Sequence, residues 1–92
     1  MDKVVETAKE LSREIRELPE IREYLKLKNL LENDENLAQM RRDIARLESE
    51  GKSEEKKNLL AIYNEHPLVS NYYSMKEEVR NILETIKEIL SE

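Results

Sequence analysis

Leu68, Tyr72, Met75, Val79, Ile82, Ile86 and Ile89 recur at alternating intervals of four and three residues through the last third of the chain. A heptad pattern of this kind specifies a helix with one continuous apolar seam, which has to be buried against other helices. Val69, Leu83 and Leu90 lie beside the seam and widen it beyond what a two-stranded coiled coil needs, as in a helix that contacts several neighbours. Two arrangements satisfy the pattern, and they are compatible. In one the seam associates with a second copy, giving a dimer or a higher oligomer. In the other the first and last helices pack together in an antiparallel bundle and the shorter middle helices cover one side. Self-association is the expectation adopted, with oligomer number and helix direction left open.

The inventory of residues points the same way. Of 92 residues, 40% are charged and 4% aromatic, with no Trp or Phe, so a large globular core cannot be assembled. A chain of this length buries only about 60% of the surface its unfolded form exposes. One Gly and two Pro leave little turn chemistry for strands, while Leu, Glu, Lys and Arg favour helices. The expected fold class is all-α: four to five amphipathic helices with a long C-terminal helix, in one domain over residues 1–92, the bundle completed by oligomerisation.

Punctuation along the chain divides these helices. Val4, Ala8, Leu11, Ile15 and Leu18 give a first amphipathic helix, and Pro19 predicts a break at 18–19 followed by a second helix starting at the proline. That helix carries Ile21, Tyr24, Leu25, Leu27, Leu30 and Leu31 and ends at Asn33-Asp34, where Asp34 can cap the third. Leu37, Met40, Ile44 and Leu47 continue to about Glu50, with Gly51 placed for a left-handed cap. Ser53 is the predicted N-cap of a short fourth helix through Leu59, Leu60, Ile62 and Tyr63. The turn Asn64 to His66 then leads into Pro67 and the last helix.

Several function classes lose support at this point. The formal charge is −5, and the two halves carry ten basic against eleven acidic residues and six against ten, so direct nucleic-acid binding is not expected. Arg41, Arg42 and Arg46 are interleaved with Asp43, Glu48 and Glu50, as on a solvated helix face. The start, Met1-Asp2-Lys3-Val4-Val5-Glu6, lacks the apolar core of a signal peptide, and no run approaches a membrane span, which predicts a cytoplasmic location. Gly51-Lys52-Ser53 resembles the end of a phosphate-binding loop, but Arg46 stands where that motif needs its first glycine. With no Cys and His66 as the only histidine, no catalytic, cofactor or metal set is predicted, and His66 reads as a cap or surface residue. No small-molecule substrate is expected either. Tyr63, Tyr72 and Tyr73 cluster around the Pro67 turn; Tyr63, His66 and Tyr73 form the candidate partner surface, the alternative being that the tyrosines pack inside the bundle.

The order of these features resembles a known family. Leu18-Pro19-Glu20 before Tyr24-Leu25, Leu30-Leu31-Glu32-Asn33-Asp34-Glu35 opening a helix, then Gly51-Lys52 and His66-Pro67-Leu68-Val69 leading a tyrosine-containing last helix are similar to the YlbF/YmcA family over nearly the whole chain. The resemblance implies a small helical cytoplasmic protein of Gram-positive bacteria that associates with itself or with relatives. It also implies a non-enzymatic regulator that acts with RNase Y and its associated proteins in mRNA processing and affects competence, sporulation and biofilm formation. The cysteines linked to iron–sulfur clusters in described members are absent here, which sets any cluster role aside. Two alternatives come from other classes: a small all-helical enzyme of the chorismate mutase type, with Arg13, Arg16 and Arg42 supplying charge, and a helical RNA-binding protein.

Overall fold

Each break in the chain is made by one or two residues whose side chains or backbone close a helix end. The computed structural model describes residues 2–92, which form five α-helices: α1 Lys3–Glu17, α2 Pro19–Asn33, α3 Glu35–Ser49, α4 Ser53–Glu65 and α5 Pro67–Leu90. Asp2 caps α1 by accepting from the Val4 N–H at 2.9 Å, and Asp34 caps α3 by accepting from the Leu37 N–H at 2.9 Å. Leu18 is the single non-helical residue between α1 and α2; its extended backbone is the conformation a residue before proline prefers. His66 plays the same part between α4 and α5 and caps α5 through Nδ1, which accepts from the Leu68 N–H at 3.1 Å.

Gly51 has φ 71° and closes α3 with a Schellman motif, in which Lys52 N–H reaches the Leu47 carbonyl and Gly51 N–H the Glu48 carbonyl. This shifts one expected boundary. Lys52, already inside that motif, also offers its carbonyl to Lys56 N–H, so α4 begins at Ser53 and Ser53 is its first helical residue, not its cap.

Two antiparallel pairs build the body. Glu20 of α2 lies near Ile82 of α5, Tyr24 stacks on Tyr72 and Leu31 meets Val69, so α2 runs antiparallel along α5. The loop at Gly51-Lys52 folds α4 back on α3. The pairs join where α2 turns into α3 and α4 into α5, and there Leu31, Leu37, Tyr63 and Val69, one from each of four helices, form the central cluster. Met40, Ile44, Leu68 and Tyr72 pack around it. Arg41 locks the junction by donating to the Tyr63 hydroxyl at 3.1 Å and to the Leu31 carbonyl at 3.4 Å in the last turn of α2.

The first helix departs from the expected bundle. Among the described residues α1 meets α2 alone, and not α5. The physical reason is that α2 already occupies the face of α5 that α1 was expected to cover, and the one-residue joint at Leu18 turns the chain without folding α1 back. The molecule is elongated as a result, 53 × 24 × 23 Å with a radius of gyration of 18.0 Å, where a compact chain of this length would have about 12 Å.

Candidate interaction surface

What the fold leaves uncovered follows from these pairings. α1 is strongly amphipathic, with Val4, Ala8, Leu11 and Ile15 on one stripe, yet it contains no buried residue and Val4 is 72% exposed. An isolated helix of 15 residues is marginal in water, and an exposed apolar stripe on such a helix makes it a candidate interaction surface. At the same end of the molecule α5 outruns α2, and Ile89 and Leu90 are 61% and 66% exposed.

The seam divides accordingly. Val79 is buried, and Leu68, Tyr72, Met75, Ile82 and Ile86 are half-buried, their side lying along α2 within the same chain. Only Ile89 of the seven stands out in solvent. The expected partner surface divides as well. Tyr63 is 5% exposed and belongs to the central cluster, His66 is an exposed cap, and Tyr73 is half exposed, edge-on to Tyr72 with ring centroids 5.3 Å apart. The Tyr24 hydroxyl beside Tyr72, together with partial burial, pushes the Tyr72 phenol up to about 12.

A groove runs beside Tyr73 along α5. Tyr24 of α2 and Val79 form its floor and Leu83 its apolar wall, while its rim carries Lys76, Arg80 and Lys87 together with Glu84 and with Glu77, which is paired to Arg80. It encloses about 700 Å³ and is open along its length. Sequence reasoning missed it because Tyr24 and Leu83 are far apart in the chain, and only the antiparallel seating of α2 joins them.

Other chemistry is not assembled. Arg13 and Arg16 lie on α1 and Arg42 on α3, two helices that do not meet, and Arg42 donates to Gln39 at 2.8 Å. At the Gly51 turn Lys52 and Lys56 face Glu50 and Glu48. There Arg46, then Lys52, hold the exposed Glu50 carboxyl below its ordinary range. No cluster of three or more His, Cys, Asp or Glu suited to a metal occurs among the described residues, and without cysteine the chain does not fit an iron–sulfur group. Among the described residues no helix is long and apolar enough to cross a membrane.

A family model described as control of competence regulator ComK, YlbF/YmcA, matches residues 4–92. The chain belongs to the YlbF/YmcA family. No curated protein and no solved structure matches it. The match spans all five helices, so the uncovered α1 stripe lies inside the family region and is not an appended segment.

Proposed function

We propose that this YlbF/YmcA-family chain is a non-catalytic regulatory adaptor in the control of competence, acting through helical self-association and protein partners. The observation that carries the reading is α1: a four-turn helix whose apolar stripe is exposed at Val4 and Ala8 and only half-buried at Leu11 and Ile15, while every other helix contributes a buried residue. Burial of such stripes against another chain is the ordinary route by which small helical proteins gain a stable interface. Following the family resemblance, the partners proposed are family relatives and RNase Y-associated proteins, with the chain working in the cytoplasm and itself carrying out no reaction.

Sedimentation equilibrium of the full chain tests the self-association. The expected result is a mass that rises with concentration toward a multiple of 11.0 kDa, and a Leu11→Glu chain that stays monomeric with unchanged helicity. A wild-type chain that is monomeric at its highest soluble concentration overturns that part. For the regulatory part, loss of the gene is expected to change transformation frequency in the host, and an unchanged frequency overturns it.

A further inference from the structure

The described residues include a helix with no buried side chain, α1, and the widest of their open grooves, between α2 and α5, agrees with it in length. We propose that the α2/α5 groove of one copy receives α1 of a second copy, so that two chains exchange their first helices. The proposal rests on the self-association put forward above and names the surfaces that meet.

Three observations select this occupant. α1 has 15 residues and is therefore about 22 Å long, and the groove follows α5 from Tyr73 to Lys87, about 21 Å at the same rise per residue. The surfaces are complementary in kind: the apolar stripe of α1 meets a floor of tyrosine and valine. Its Glu10, Glu14 and Glu17 edge faces a rim on which Lys76 and Lys87 make no ion pair among the described residues and outnumber the one unpaired carboxylate, Glu84. Lastly, the chain cannot fill its own groove. An antiparallel helix pair needs a loop of about two to five residues, and the α1–α2 joint provides Leu18 alone. Each copy thus has one helix to give and one groove to offer, so reciprocal docking is satisfied at two chains and closes.

The absence of native cysteine makes the arrangement directly testable, because an introduced thiol is the only one in the chain. Full-length Ala8→Cys, in mid-stripe, is mixed with full-length Arg80→Cys, on the groove rim, under mild oxidation, the two chains being distinguished by a mass tag. The expected product is the mixed disulfide well above the half share of random pairing. Leu83→Glu in the Arg80→Cys chain is expected to abolish it and to weaken the dimer at least about tenfold. Leu83 is exposed, so the helical circular dichroism should not change. If the wild-type chain sediments as a dimer but the disulfides form at or below random share, or survive Leu83→Glu, the groove assignment is overturned and self-association stands. If the wild-type chain is monomeric, both fall.

Discussion

Leu37→Ala should be the most damaging single truncation in the chain, and the structure gives its size. Leu37 is 1% exposed at the point where four helices meet, and its own N–H is held by the Asp34 cap. Removing its branched end forfeits about 2 kcal/mol of transfer free energy, and the cavity left among Leu31, Tyr63 and Val69 raises the loss to about 3 kcal/mol. A chain of 92 residues has a total stability on the order of 5–14 kcal/mol, so this is a large fraction of it. The matched control is Leu11→Ala, the same chemical change at a half-buried position on α1, a helix that contains no buried residue. Urea unfolding followed by circular dichroism, at a concentration low enough to keep the chain monomeric, should give a loss of about 3 kcal/mol for Leu37→Ala and under about 0.5 kcal/mol for Leu11→Ala. At high concentration the Leu11→Ala chain should fall behind the wild type, since the proposed self-association then stabilises the wild type more. Equal losses for the two variants in the monomer would refute the assignment of the core to the four-helix junction.

Three further outcomes follow from local geometry. Gly51→Ala places a Cβ at φ 71° with nothing within 4 Å of it, so the cost is conformational strain alone, about 1 kcal/mol of stability in denaturant titration with no change in helix content. Asp34→Ala should cost about 1 kcal/mol, and Asp34→Asn, which keeps the accepting oxygen, only a small part of that. Because the Tyr72 phenol is raised in the folded state, folding favours its protonated form; stability is therefore retained below pH 10 and falls as pH rises from 10 toward about 12. Thermal melts across that interval should show the fall, and Tyr72→Phe should flatten it.

The Arg41–Tyr63 contact shows where the limit of the sequence lies. Its partners are 22 residues apart, and no local pattern distinguishes Arg41 from its neighbour Arg42, which stays on the surface. Tyr63 was equally ambiguous, because tyrosine suits both an interface and a core that can reach its hydroxyl. The arginine answers that need, and with it Tyr63 passes from a candidate contact residue into the central cluster.

Most helix ends, by contrast, are local chemistry and legible: Pro19 and Pro67 open helices, Asp34 caps one, and Gly51 supplies the left-handed turn that closes another, the exception being the start of α4, where the Schellman closure of α3 makes Lys52 and not Ser53 the cap. Each of these four depends on hydrogen bonds or dihedral limits within a few residues, so the local sequence determines them. Partner choice between helices is different. α1 and α5 carry the same four-three apolar spacing, yet α5 lies along α2 for most of its length and α1 is left with no buried residue. Periodicity fixes that a helix has an apolar face and says nothing about what covers it. Within the chain, the one-residue corner at Leu18 and the antiparallel seating of α2 on α5 settle that, since together they direct α1 away from the body and leave its stripe without a buried residue.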